Sequence, residues 1–523
     1  MGDGPFFAPL KLILSFGGMS TIRRQSIISS VIVYVGFAVG ALNIYLFARG
    51  FEPSQFGLTT LFVNMANIMF AFANLGMQAY IYKLYPYYKD NLRPEENEMM
   101  SWALLVSGIG FAGVVVAGIL WKRWILSNFE QNSQDLTKYY YWLFPFGLGL
   151  TLYSLLEAYS LHLNRTILTS FLRELLFRIF TTILILLAIT GLLTHFSTFI
   201  KLYAFSYLLL ASVLFVYLVR KRELYFPLSP SRVTRKFFKK IRTMAILSWG
   251  AALVFNLSTF FAVLIIAVVV PKGLESAAVY SIAAYAGSVM QAPQRTLMSA
   301  AIGPLSRAWK DKDYPRINRI YHRSSINQLI FAIGMFVLIW INYTDGVLTL
   351  HMNKAYLGGL HAFLFIGLTR IVDMGTGVNS QIIGTSTYWR FELFSGVILL
   401  VMTLPLNYYL ASWYGLIGPA IADLITFSFY NGIRCLFLYR KFNMQPFSAK
   451  TIYTILLGLA GYLVCHFAFD AYQGFAWLVI RSLVFLVIYV AGILVLNLSE
   501  DVLPVWRTVK KKLSYLCGRF FGP

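Results

Sequence analysis

The stretch Ser170–Phe180, "SFLRELLFRIF", puts Arg173, Glu174 and Arg178 at the front of an apolar run that continues as "TTILILLAITGLL". A charge at the centre of a hydrocarbon layer costs about 2.5–3.5 kcal/mol on insertion scales, so such groups face protein or water. Glu174 and Arg178 stand i,i+4 with the carboxylate first, the favourable order for a helical ion pair. That pairing leaves Arg173 as the freer cation. Two more arginines, Arg295 and Arg370, fall inside apolar runs of the second half, and Asp373 follows Arg370 by one turn. A guanidinium is planar, permanently charged and able to bind phosphate oxygens two at a time. The chemistry open to Arg173, Arg178, Arg295 and Arg370 is therefore the holding of a polyanion such as a diphosphate. The competing reading has each of them snorkel to nearby head groups or satisfy a neighbouring carboxylate. Arg434 and Arg481, nearer the ends of their runs, are expected as anchors of that kind.

Neutral polar residues form a second set. Asn64, Asn67, Asn74 and Gln78 recur at spacings of 3, 7 and 4, which places them on one helical face. Tyr285, Ser288 and Gln291 lead up to Arg295 along a later run, and Asn256 lies on the run before it. Amides, hydroxyls and aromatic rings suit a hydrated glycan; the alternative is hydrogen bonding between packed helices. Four carboxylates lie within apolar runs: Glu157, Glu174, Asp373 and Asp423. Any of them could exchange a proton or a sodium ion. Glu174 and Asp373 have an arginine close by to pair with, whereas Glu157 and Asp423 lack a local partner. No G-x-x-x-x-G-K-[ST] occurs, so no P-loop nucleotide site is expected. Cys435, Cys465 and Cys517 are far apart without a C-x-x-C, so neither a zinc site nor a disulfide framework is indicated; no metal or other cofactor is expected.

The elements that must carry these residues are membrane helices. Of 523 residues, 58% are hydrophobic and 12% charged, against about 25% charged in soluble domains. Mean hydropathy is +0.66. The apolar runs last about 20 residues, the length that crosses hydrocarbon as a helix and twice that of a barrel strand. The fold class is all-α and polytopic, with spans expected at 25–48, 58–82, 100–121, 139–161, 168–192, 200–219, 244–270, 276–302, 323–343, 356–380, 390–411, 416–438, 451–470 and 477–497. Of the 44 Lys and Arg, 31 fall in segments that this alternation places inside and 7 in those it places outside. The positive-inside rule then predicts both termini in the cytoplasm. The net charge of +23 reads as basic loops beside anionic membrane lipids, with no nucleic-acid partner. "PFFAPLKLILSFGG" is expected to lie along the membrane surface or to form a plain tail.

The basic, proline-bearing link 220–243 divides the chain. The expected organisation is a segment 1–24, six helices over 25–219, the link, six helices over 244–438, two more over 439–497, and a basic tail 498–523. The halves echo one another: "GFEPSQFGLTTL" leads to "YPYYKD" and "PKGLESAAVYSI" leads to "SRAWKDKD". Such parallel repeats meet at a midplane site in transporters.

At these residues the chain resembles the polysaccharide-transporter branch of the multidrug/oligosaccharidyl-lipid/polysaccharide (MOP) exporter superfamily, which includes bacterial O-antigen flippases. The resemblance rests on "LFARGFEPSQFGLTTL", "ANLGMQAYIYK", "VYSIAAYAGSVMQAPQRTLMSAAIGPLSRAWKDKD" and "LNYYLASWYGLIGPAIADLITF", in that order. It implies two six-helix lobes in a V that work by alternating access. It further implies a polyprenyl-diphosphate-linked oligosaccharide as cargo, carried across the inner membrane for surface polysaccharide synthesis, with a polysaccharide polymerase and other assembly proteins as partners. Lipid II flippases of the superfamily carry basic residues in the first helix, and drug antiporters a first-helix carboxylate; span 25–48 has neither. Both remain alternatives. A membrane polymerase or ligase is disfavoured, because the longest outward connection, 122–138, has no paired carboxylates.

Overall fold

The computed structural model describes residues 21–501. The expected interfacial segment at the N-terminus and nearly all of the basic tail lie outside the described residues. Among those described there is no β-strand, and every one of the fourteen expected windows falls on helix. In chain order these are α1 (Thr21–Gly50), α2 (Pro53–Ala73), α3 (Met77–Asn91), α4 (Met99–Leu120), α5 (Leu143–His162), α6 (Phe177–Ile189), α7 (Phe196–Ala204), α8 (Ser206–Arg220), α9 (Arg232–Val269), α10 (Gly273–Met290), α11 (Ala292–Lys310), α12 (Tyr314–Thr349), α13 (Gly359–Gly375), α14 (Asn379–Thr385), α15 (Trp389–Tyr414), α16 (Gly418–Phe442), α17 (Ala449–Phe469) and α18 (Phe475–Val495). Among the described residues ten helical stretches are long and apolar enough to cross a membrane, and two of them, Phe196–Arg220 and Arg390–Phe442, each take in two of these helices, α7 with α8 and α15 with α16. The chain is a multi-pass membrane protein.

The helices group into two compact units. One holds the described residues up to Leu46 with Met69–Ile119 and Tyr141–Trp249; the other holds Phe47–Ile68, Leu120–Tyr140 and the rest from Gly250.

In the first unit, α5 packs along α8 and against α3 around a core that includes Ile81, Tyr153, Leu155 and Leu214. The expected span 58–82 is two helices rather than one. Leu75 and Gly76 take φ of 45° and 80°, a left-handed step that glycine makes without steric cost. The step also needs a residue without a side chain, because a Cβ on Gly76 would stand 2.1 Å from the Ala245 carbonyl oxygen. The backbone groups freed by the break are taken up locally, as buried polar groups must be. The Asn74 side chain accepts from Gln78 N at 2.9 Å, Ser107 donates to Asn74 O at 3.3 Å, and Trp249 Nε1 donates to Ala71 O at 2.9 Å.

The expected spans 200–219 and 276–302 are likewise each two helices, α7 with α8 and α10 with α11. A further departure is α9. It has 38 residues, so at ~1.5 Å per residue it is roughly 57 Å long and outruns a hydrocarbon core of ~30 Å. Its first twelve residues belong to the basic link. They are fastened by Glu98, a fully buried carboxylate that accepts from Ser231 N at 2.8 Å and Thr234 Oγ1 at 2.6 Å. This is an N-terminal cap supplied from another part of the chain, satisfying orphan donors of the first turn.

In the second unit, α12 is the spine and touches α13, α17 and α18. The last two helices dock on it through Leu329, Ile333, Phe485 and Tyr489, with Tyr489 donating to Ile330 O at 2.8 Å. Helices α13 and α15 both pack on α16.

Candidate functional site

The charged stretch of the first unit is held in an unusual backbone. Phe171–Leu176 is wound as a π-helix between the turn Thr166–Ser170 and α6. Such wide turns interrupt α-helices at few places and are frequent at functional sites. Within it Arg173 Nη1 donates to Glu157 Oε2 of α5 at 3.1 Å. Glu157 therefore has a partner that local spacing did not reveal. Glu174 and Arg178 form the expected i,i+4 pair, also at 3.1 Å. Arg173 stays the more accessible cation, with its side chain 55% exposed against 19% for Arg178. The Arg178 guanidinium lies over the Phe37 ring at 5.3 Å, and its buried Nη1 has no hydrogen-bond partner among the described residues.

Helix α1 presses directly on this turn. A Cβ at Gly36 would stand 2.6 Å from the Glu174 carbonyl oxygen. Two turns further on, Asn43 Nδ2 donates to Arg178 O at 2.9 Å. Gly36 thus marks a close contact between α1 and the charged turn.

The second unit carries its charges differently. Arg295 of α11 is exposed, and among the described residues it has no ion-pair partner. Arg370 is partly buried against α10, where a Cβ on Gly287 would come within 3.7 Å of its Nε. That buried Nε has no hydrogen-bond partner among the described residues. Asp373 was expected to pair with an arginine. Its carboxylate is held by amides instead: Gln294 Nε2 at 2.9 Å and Asn431 Nδ2 at 3.2 Å. Asn431, buried in α16, also accepts from Thr376 at 3.1 Å and Asn379 at 3.0 Å. Asp423 has Tyr280 and Asn407 at its carboxylate, with Arg370 the cation acting on it.

Arg434 and Arg481 depart from the anchor reading. Arg434, 3% exposed, pairs with Glu392 of α15 and lies 3.7 Å over the Tyr430 ring. Arg481 is 8% exposed and pairs with Asp345 of α12 at 2.7 Å. Buried charges of this kind need a partner and further hydrogen bonds, and both have them. Nothing in the local sequence pairs these residues, since their partners come from other helices.

The amide residues proposed for glycan contact turn their donors inward on their own helices. Asn64 donates to Thr60 O at 2.8 Å, Asn67 to Val63 O at 2.7 Å and Asn256 to Ala252 O at 2.8 Å. Ser288 donates to Tyr285 O at 2.7 Å. Gln291 marks the junction of α10 and α11. Asn74 is spent on the cap beyond the break, so the face drawn through Asn64, Asn67, Asn74 and Gln78 does not run along one continuous helix.

No protein-family model matches the chain, and no curated protein matches it in sequence. Solved structures do. The lipid II flippase MurJ in its inward closed conformation superposes with a TM-score of 0.70 at 15% identity, over 89% of this chain and 98% of that one. A multidrug resistance MATE family transporter in an inward-facing conformation gives 0.59 at 14% identity, over 78% of this chain and 96% of that one. A MOP superfamily transporter from Pyrococcus furiosus gives 0.51 at 13% identity, over 84% and 96%. At such identities the likeness is one of fold, and it runs through almost the full length of each neighbour. The chain has the fold of the MOP superfamily of flippases and transporters.

Proposed function

We propose that the protein is a flippase, not an enzyme, that moves a polyprenyl-diphosphate-linked oligosaccharide from the cytoplasmic to the outer leaflet of the inner membrane, for surface polysaccharide synthesis. The observation that carries this reading is Arg295: an exposed guanidinium on a helix within an expected span, with no ion-pair partner among the described residues. A cation kept unpaired at that cost fits an anionic ligand. Arg370, with its orphaned Nε, offers a second such group. Arg173 and Arg178 are proposed as further diphosphate contacts that exchange a carboxylate partner for phosphate oxygens. Glu157, Glu174, Asp373 and Asp423 are the proposed places for a coupling proton or sodium ion. Asn64, Asn67, Asn74, Gln78, Asn256, Tyr285, Ser288 and Gln291 are the proposed glycan contacts. Both termini are proposed to be cytoplasmic, and a polysaccharide polymerase is the proposed partner downstream.

A second reading, transport of lipid II, is favoured by the fold likeness to a lipid II flippase. Both substrates are polyprenyl diphosphates, so the arginine roles are shared and the glycan differs. Deleting the gene and extracting the polyprenyl-linked intermediates separates them. Build-up of a lipid-linked repeat unit other than lipid II supports the proposal. Build-up of lipid II alone supports the second reading, and no build-up of either contradicts both.

A further inference from the structure

Away from all of these residues, the second unit encloses a cavity of about 310 Å³ where the ends of α12 and α17 meet the starts of α13 and α18. Its floor is the buried Asp345–Arg481 pair and its rim carries the exposed Thr344, Asp470 and Gln473. Trp340 and Tyr462 give it two aromatic walls.

Arg481 contributes little open positive charge. Its Nη1 donates to Ile341 O at 2.6 Å and its Nη2 to Phe469 O at 3.2 Å and Tyr472 O at 3.0 Å, besides the pair with Asp345. What remains beside that pair is made of acceptors: the Asp470 carboxylate, the Thr344 hydroxyl and the Gln473 side-chain amide, beside two π faces. Exposed at the rim, Asp470 has His466 as its ion-pair neighbour among the described residues, at 3.4 Å. A site of several acceptors and aromatic faces, sized at the lower end of ligand pockets, is suited to an organic ammonium. Acceptors of that number favour a primary ammonium, with its three N–H donors, over a quaternary one. The cavity adjoins the loop Asp470–Gly474 between two membrane-crossing helices, where Tyr472 and Phe475 are exposed. Aromatic residues at such ends mark the level of lipid head groups.

We propose that this cavity binds the head group of an aminophospholipid, phosphatidylethanolamine, with the ammonium against Asp470 and the aromatic walls and the Asp345–Arg481 pair as the fixed floor. The test is native mass spectrometry of the full-length protein in detergent, with phosphatidylethanolamine, phosphatidylcholine or phosphatidylglycerol added singly. Phosphatidylethanolamine is expected to be retained about fivefold more tightly than either of the others, a difference of the size of one net hydrogen bond from its ammonium. Asp470→Asn, at an exposed position, is expected to abolish that preference without lowering the melting temperature of the lipid-free protein. Equal retention of the three lipids, stronger retention of phosphatidylglycerol, or a preference that survives Asp470→Asn would overturn the proposal. So would free ethanolamine binding as tightly as the lipid, which would assign the cavity to a soluble amine.

Discussion

Arg370 and Asp373 stand one turn apart on α13, yet the Asp373 carboxylate is bound by Gln294 at 2.9 Å and Asn431 at 3.2 Å and not by its neighbouring arginine. Two neutral amides thus do the work expected of a cation, and Arg370 is left to act on Asp423.

From this follows a difference between two substitutions. Asp373→Asn keeps two polar atoms in place and is expected to cost under about 1 kcal/mol of stability, the scale of one net hydrogen bond. Asn431→Leu leaves Asp373 short of a donor and Asn379 without the Asn431 acceptor, while Thr376 keeps the Asp373 carbonyl at 2.9 Å, at a cost of about 2–3 kcal/mol. Denaturant unfolding in detergent ranks the two, and equal losses would contradict the assignment.

At Gly36 the constraint is steric. Gly36→Ala places a methyl group 2.6 Å from the Glu174 carbonyl oxygen, so the π-turn or α1 must shift, at roughly 1–3 kcal/mol. Gly113, with nothing within 4 Å of a would-be Cβ, serves as the control and is expected to accept Ala without loss. Melting temperatures of the two variants check this.

For Arg434, buried, and Glu392, 28% exposed, removing one partner is worse than removing both. Arg434→Met leaves the Glu392 carboxylate with the Ser380 hydroxyl at 2.7 Å in place of its cation and is expected to lose about 1–3 kcal/mol, whereas the double variant Arg434→Met with Glu392→Gln recovers most of it. A double-mutant cycle on unfolding measures the coupling, and additive losses would argue against a functional pair.

The start of the C-terminal segment is fastened by a contact that depends on pH. Asp501 pairs with Arg323 and accepts from Asn327 at 2.7 Å, and the hydrogen bond from Arg323 holds its carboxyl below the usual aspartate range. A group whose folded value is depressed contributes stability above its unfolded value and loses it as pH falls through the folded one. Hydrogen exchange of residues 496–501, corrected for intrinsic rates, is expected to speed up once pH drops below about 4. Arg323→Gln should show the faster exchange already at neutral pH.

What the sequence made legible was whatever depends on near neighbours. Apolar runs of helical length located all fourteen windows, and i,i+4 spacing found the Glu174–Arg178 pair. The break at Leu75–Gly76 escaped because hydropathy does not register backbone conformation, and the early start of α9 escaped because a basic amphipathic helix scores as a loop. Partners of the charged residues were the least accessible. Glu157 meets Arg173 across a turn, and Arg434 meets Glu392, Arg481 meets Asp345 and Asp373 meets Asn431 only after separate helices pack. An arginine near a span end looks the same in sequence whether it snorkels or is buried beside a carboxylate.

The guanidinium groups of Arg295 and Arg370 are the proposed contacts to the diphosphate of a lipid-linked glycan. The most direct measurement of this is flipping of a labelled polyprenyl-diphosphate oligosaccharide in proteoliposomes by the wild type, Arg295→Ala and Lys240→Ala. Loss of a hydrogen-bonded contact to a charged group, about 1.5–3 kcal/mol, predicts that Arg295→Ala falls by roughly tenfold or more while Lys240→Ala, in the basic link, keeps its rate. Equal rates for the two variants would contradict the account.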